Sequence, residues 1–397
     1  MDILLLCHRI PYPPDKGDKI RSFSLLRHLA ERHRVRLVAA ADEAADIRHV
    51  PALEALAERV RVLPFGRVGA CLRTAASLVK GGSLSVAWFP GSRLAAASRE
   101  MVADRRPDLV LAISTQTAPA AFSLGVPVVL DLVDRDSAKW AQYGARLRGV
   151  KGRIYALEAR RLAEAEEHWI QRSVVSFVIS EHERSLFPEG LRSRIRVVGN
   201  PVKIERFSTD RGQEDARVVL FVGALDYFPN VDAVSFYARE VLPRVRAVVP
   251  GVELHVVGPR AAAALEALDG QNGVRLLGYV PDLEAVYARA ALSVAPFRLT
   301  QGVLNKVLEA LASSIPVVAT PEAVRGLGLA DGDGVRLART AEALAARTVE
   351  LLTDAPARRA LGREARRIVE TRFAWPGDLT RLDAHLTEAM RAEATVG

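Results

Sequence analysis

The feature that most constrains this chain is its alternation. Short apolar runs recur along it, and between most neighbouring pairs lies a stretch whose apolar residues have helical spacing. ILLLCHRIP (3–11) is apolar and ends in a proline-rich turn. GDKIRSFSLLRHLAERH (17–33) then sets Ile20, Phe23, Leu25, Leu26 and Leu29 at helical intervals, and VRLVAAA (35–41) is apolar again. Strand, helix and strand in roughly forty residues make a βαβ unit, which implies a parallel sheet. The pattern continues through a helix at 51–60 and strands at 61–65, 107–114 and 126–134. A long helix from about Arg148 to Ser173 and strands at 173–180 and 194–200 follow. A second series opens at RVVLFVG (217–223) and runs through strands at 252–258, 274–280, 291–297 and 315–320.

Two such series in 397 residues suit two domains of roughly 150–200 residues each. The expected fold is α/β, with two Rossmann-like, doubly wound domains facing across a cleft. The first covers 1–199 and the second 200–374, with polar, poorly periodic residues 200–216 as the linker. From about Trp375 the tail reads as one amphipathic helix, residues 375–397, crossing back to the first domain. Doubly wound sheets bind ligands beyond the carboxyl ends of their strands, so functional residues are expected just after strands.

Composition narrows the class of partner. The net charge of +8 and pI of about 9.7 favour anionic partners. No recognised reader motif accompanies the basic residues, which argues against nucleic acid. Cys7 and Cys71 are too few for a disulfide framework and read as buried thiols in a reducing compartment. The N-terminal apolar run is too short for a signal segment, and no stretch approaches the roughly 20 apolar residues of a membrane span. The expected location is the cytoplasm, with a peripheral place at the inner face of the cell membrane open to it. GRVGACLRTAASLVKGG (66–82) is a basic amphipathic segment suited to that surface, although a core-packed helix fits it as well.

The most informative stretch is TQGVLNKVLEALASSIPVVAT (300–320). It follows the strand at 291–297, and a helix is expected to begin near Gly302. A glycine lets a ligand approach the backbone, and a helix N-terminus offers free N–H groups to an anion. Val303, Leu304, Val307, Leu308 and Leu311 form the expected buried stripe. Asn305, Lys306 and Glu309 share the other face. Lys306 suits a phosphate and Glu309 a sugar diol. Spacing alone also allows an ordinary solvated face with a Lys–Glu pair.

GVLNKVLEALASSIPVVAT resembles the donor-binding segment of the family-4 glycosyltransferases, which have the GT-B fold. FVGALDYFPNVDAV (221–234), HVVGPR (255–260) and LGYVPDLEAVYARA (277–290) are similar to the same family. In the first domain, IPYPPDKGDKIRSFSLLRHLA and VVLDLVDRDSAKWAQYG resemble a subgroup associated with exopolysaccharide and exosortase (PEP-CTERM) systems. The resemblance implies a retaining, metal-independent hexosyltransferase with no cofactor. Its donor would be a nucleotide-diphosphate sugar; the basic charge and the segment 66–82 point to a lipid-linked glycan acceptor at an anionic membrane. By resemblance, Glu309 would hold the ribose, and the backbone of Gly302, Val303 and Leu304 would meet the diphosphate and sugar. Gly223 and Asn305 would lie beside them, and Gly17 and Asp18 would serve the first domain.

The sequence departs from the family pattern at several places. Gln301 stands where a first glutamate is common. Ala224 and its neighbours replace the usual Arg and Lys pair, so Lys306 and Arg298 are the expected substitutes. Val133 stands where a histidine is common, which leaves Asp134 as the nearest polar group. Asp134-Arg135-Asp136 spells a DxD, but a capped turn or acceptor contact fits it better than a metal. These departures keep two other readings open: a catalytically silent scaffold of the same fold in a polysaccharide assembly complex, and a nucleotide-sugar epimerase.

Overall fold

A computed structural model describes residues 1–14, 17–41, 43–200, 204–212, 214–300, 302–373 and 377–396. The chain divides into two compact units, Met1–Pro201 with Pro376–Gly397, and Val202–Trp375. Each is a doubly wound α/β layer structure around one parallel sheet.

The first unit holds seven strands: β1 (Asp2–Cys7), β2 (Arg34–Ala41), β3 (Arg59–Pro64), β4 (Leu109–Ile113), β5 (Val128–Val133), β6 (Val175–Val178) and β7 (Ile195–Val197). Their order is β3-β2-β1-β4-β5-β6-β7, and every pair is parallel. Helices cover both faces, so the inner strands are largely apolar; Ile3 to Cys7 are fully buried. The strand order reverses between β1 and β4, where the chain leaves one side of the sheet for the other. Their carboxyl ends diverge there and open a crevice.

One buried ion pair ties this sheet to its first helix, Gly17–Ala30. Arg21 Nε donates to Asp131 Oδ2 at 2.7 Å, and its other nitrogens reach Asp131 Oδ1, the carbonyls of Val198 and Gly199, and Asn200 Oδ1. Both side chains are 1% exposed. The guanidinium is well satisfied, so the pair is stable as a whole, whereas removal of either partner would strand a buried charge. The tail helix, Gly377–Val396, packs in this unit as well. Leu379, Leu382 and Leu386 are buried, and Asp383 accepts from His28 at 2.9 Å.

The second unit holds β8 (Asp215–Val222), β9 (Glu253–Val257), β10 (Val274–Gly278), β11 (Ala290–Ala295), β12 (Val317–Ala319) and β13 (Val335–Leu337). The order is β10-β9-β8-β11-β12-β13, again all parallel, with the switch between β8 and β11.

Several sequence expectations need correction. The helix expected over 51–60 is a 3-10 turn, Ala44–His49, leading into a short helix, Val50–Glu54. Much of the expected linker belongs to the second unit: Ile204 and Phe207 are in its core, and Arg211 binds the carbonyls of Tyr287 and Ala288. Cys7 is buried, but Cys71 is exposed. It sits on the helix Arg67–Lys80, of which only Ala70 is buried. Among the described residues, no helix is long and apolar enough to cross a membrane.

Candidate active site

In the second unit the site forms where β8 and β11 diverge. β8 ends at Val222, and Gly223 follows, its N–H donating to the Val257 carbonyl. A Cβ on Gly223 would lie 2.5 Å from Lys306 Nζ and 2.8 Å from Asn230 Nδ2, so a side chain here would displace both. Asn230 stands on the helix Phe228–Phe236, whose start carries Pro229. Its Nδ2 donates to the Ala224 carbonyl at 2.7 Å, which turns Oδ1 toward Lys306 Nζ, also at 2.7 Å.

Lys306 is not part of a solvated helix face. Its Nζ lies 4.6 Å from the Phe221 ring centroid and 4.8 Å from that of Phe297. The rings at the ends of two strands therefore flank the ammonium. Burial lowers its pKa to about 7, with the Glu309 charge acting in the opposite direction. This is a cation held by one neutral oxygen, two rings and a nearby acid, and an arriving anion would restore its full charge.

Glu309 is one turn along the same helix. The Tyr287 hydroxyl donates to its Oε2 at 3.1 Å and lies 3.3 Å from the Lys306 carbonyl. Burial raises the Glu309 pKa, against the effects of Tyr287 and Lys306. Among the described residues Oε1 has no hydrogen-bond partner. A carboxylate fixed at one oxygen and open at the other is suited to a hydroxyl-bearing ligand.

The helix itself is Asn305–Ala312, with Leu304 as its N-cap, so it begins three residues later than expected. Gly302, at φ +75°, belongs to the preceding bend, a conformation that glycine adopts without strain. Val303 and Leu304 are half-buried against the core. Arg298 is drawn aside: it pairs with Asp232 and lies 4.7 Å from the Phe236 ring centroid. Gln301 lies outside the described residues. The fold thus brings together Gly223, Lys306 and Glu309, and adds Asn230 and Tyr287, which sequence reasoning missed. Both residues lie in family-like segments, but the contact between Asn230 and Lys306 spans 76 positions, and no local pattern announces it.

The carboxyl edge of the first sheet has a different character. After β1, His8 Nε2 lies 3.1 Å from Asp18 Oδ2, and Arg9 donates to the same oxygen at 2.9 Å. Burial would raise Asp18, but His8 and Arg9 outweigh it and hold the carboxyl well below the usual range. Gly17 opens the helix and is exposed. After β5, Val133 has φ +69°, strained for a β-branched residue, and Ser114 after β4 has φ +73°. Asp134 follows, with Oδ1 buried and unpartnered. Burial, Glu183 and Asp136 raise its pKa. Asp136 pairs with Lys139 instead. No group of three or more His, Cys, Asp or Glu side chains is placed to hold a metal among the described residues.

Two doubly wound units of this kind define the GT-B class of fold. Residues 216–354 match the model of a family described as "Glycosyl transferases group 1". Among solved structures, the chain is similar to HepE of Anabaena, crystallised with UDP, at 15% identity and TM-score 0.69, covering 98% of this chain and 100% of that one. It is similar to the sucrose-phosphate synthase of Thermosynechococcus elongatus at 17% identity and TM-score 0.72, covering 99% and 100%. It is also similar to TarM of S. aureus, at 11% identity and TM-score 0.66, covering 98% and 100%. At these identities the likeness establishes the fold. A search of curated proteins by sequence found no match.

The lysine environment gives a direct prediction. With lysine side chains isotopically labelled, Lys306 should titrate near pH 7, apart from the other lysines. Because Glu309 raises it, Glu309→Gln should move that titration lower. A Lys306 titration near 10 in both proteins would contradict the site as described.

Proposed function

We propose that this protein is a glycosyltransferase that moves a sugar from a nucleotide-diphosphate sugar to a hydroxyl of a glycan acceptor. The observation that carries the reading is the meeting of Gly223, Lys306 and Glu309 at the β8–β11 switch point. The glycine admits a ligand, the lysine lacks an anion, and the glutamate has an open oxygen. A nucleoside diphosphate supplies complementary groups: phosphate oxygens for Lys306 and a ribose diol for Glu309. The matched family model and the HepE structures with UDP and with UDP-glucose support the same donor class.

The bond that breaks joins the anomeric carbon to the β-phosphate oxygen. Negative charge grows on the leaving diphosphate as the sugar becomes oxocarbenium-like. Lys306, close to fully charged once an anion faces it, stabilises that charge, aided by the backbone N–H groups before Asn305. In this reading the cation does the work that a metal does elsewhere, and the enzyme needs no cofactor. The reaction is retaining: the acceptor attacks from the face the diphosphate leaves, and a phosphate oxygen takes its proton. Val133 and Ala224 do not impede this scheme, which uses neither side chain.

The acceptor in this reading is lipid-linked, made in polysaccharide biosynthesis, and reached from the cytoplasmic membrane surface. Two segments of the first unit support it. The helix Arg67–Lys80 exposes Val68, Leu72 and Val79 at 77%, 68% and 89%. Residues 144–154 expose Leu147, Val150 and Ile154. Neither segment contains an acidic residue, and Arg67, Lys80, Arg148 and Lys151 are exposed on them. Arg161 joins the regions through the carbonyls of Leu78 and Gly82. Apolar side chains among cations fit an anionic lipid surface.

Two measurements test this reading. UDP, GDP and dTDP should be compared by thermal stabilisation on wild type and Glu309→Ala. One nucleotide at a hundredfold its dissociation constant should add about 2.7 kcal/mol to wild type and much less to the variant. No stabilisation by any of the three would favour a silent scaffold. In flotation with phosphatidylglycerol vesicles, wild type should rise with the lipid and Val68→Glu/Leu72→Glu/Val79→Glu should stay behind; equal behaviour would end the membrane claim.

A further inference from the structure

The helix Ala355–Arg372 carries six arginines against two glutamates. Its buried side, with Leu361, Ala365, Ile368 and Val369, joins the core of the second unit. Gly362 lets the helix come close: a Cβ there would lie 2.3 Å from the Ser314 carbonyl oxygen. Ser314 also lines a cavity of about 430 Å³, built wholly from this unit, whose wall includes Arg211, Arg358, Arg359, Arg363, Arg366 and Arg367. Glu214 and Glu370 are the acids in that lining. Glu214 directly precedes β8 and Pro316 directly precedes β12. The cavity therefore stands at the amino edge of the sheet. Gly223 and Lys306 lie at the other end of β8, roughly 25 Å away at 3.3 Å per residue.

Four of these arginines are already paired, and they make the wall rigid. Arg358 is 4% exposed; its Nε donates to Glu214 Oε1 at 2.7 Å, and Arg211 donates to Oε2 of the same carboxylate at 3.0 Å. Arg366 donates to Glu370 at 2.6 Å and to the Ala312 carbonyl at 2.7 Å. Arg367 pairs with Glu364. Arg359 and Arg363 differ. Both are exposed, and neither has a hydrogen-bond or ion-pair partner among the described residues. They stand one turn apart, and Arg366 and Arg367 follow a turn later. Like charges at that spacing oppose the helix that carries them, and an anion between them would reverse the effect.

The chemistry of the lining limits the anion. Guanidinium groups one turn apart, with Cβ atoms about 6 Å from each other, can each grip a different phosphoryl group by a two-toothed contact. Six cations against two carboxylates leave more positive charge than a singly charged ion meets. No aromatic side chain lines the cavity, so no ring awaits a nucleobase, while Thr209 and Ser314 add hydroxyls. A concavity of this volume suits a small molecule, whereas a membrane or a nucleic-acid strand needs an extended face. We propose that this cavity binds a compact polyphosphate anion with no aromatic part, held by Arg359 and Arg363, at a site separate from Lys306. The inference goes beyond the transferase reading and does not rest on it.

The test is calorimetric titration of the full chain with inorganic tripolyphosphate at physiological ionic strength, where loose surface attraction is screened. Tripolyphosphate should bind wild type and should still bind Lys306→Ala, in which the lysine site is removed. Adding Arg359→Ala/Arg363→Ala to Lys306→Ala should weaken that binding at least about tenfold, and Arg363→Gln alone should weaken it less. Both arginines are exposed on a helix, so the melting temperature of the double substitution should not fall, which separates a lost site from a lost fold. The inference fails if tripolyphosphate does not bind wild type, if Lys306→Ala abolishes the binding, or if the arginine substitutions leave it intact. It fails too if phosphatidylglycerol vesicles or a single-stranded RNA bind through Arg359 and Arg363 and tripolyphosphate does not compete, since the face would then serve a macromolecule.

Discussion

A lysine ammonium enclosed by two phenyl rings, with one amide oxygen as its hydrogen-bond partner, is the constraint on which the rest of the second unit turns. Lys306 can sit there only because Gly223 has no side chain and because Asn230 is turned by the Ala224 carbonyl. Those residues come from three segments that the doubly wound topology gathers at one switch point. The arrangement holds a charge at a cost that an anion would relieve. The proposed diphosphate site rests on this arrangement before any other part of a ligand is considered.

The two units differ in what they leave unmet. The second leaves a cation short of an anion and a carboxylate with one open oxygen. The first sets three carboxylates at its carboxyl edge, Asp18 and Asp136 each with a cationic partner and Asp134 with a buried, unpartnered oxygen. The same fold serves each because its parallel strands bring chain ends together at one edge, while the side chains placed there set the chemistry.

Much of this was legible in the sequence, for a physical reason. Parallel strands buried on both faces read as continuous apolar runs, so nearly all the strands were found; β13, three residues long, was not. Glu309 and Lys306 stand out through local spacing and resemblance. Their environment was not, because a helical wheel assigns charged residues to solvent, and the rings that flank Lys306 are 85 and 9 positions away. Arg298 looked equivalent to Lys306 from position alone, yet Asp232 claims it. The contacts of Asn230 with Lys306 and of Tyr287 with Glu309 exist only through tertiary folding. Cys71 was misjudged because apolar neighbours suggest burial, whereas that helix turns its apolar side outward.

The most direct measurement is a crystal structure of the protein with UDP. The account predicts a phosphate oxygen within about 3 Å of Lys306 Nζ and the ribose hydroxyls on Glu309, with the nucleotide at the carboxyl ends of β8 and β11. UDP bound elsewhere, or bound there with Lys306 still held by Asn230 and Glu309 untouched, would contradict it.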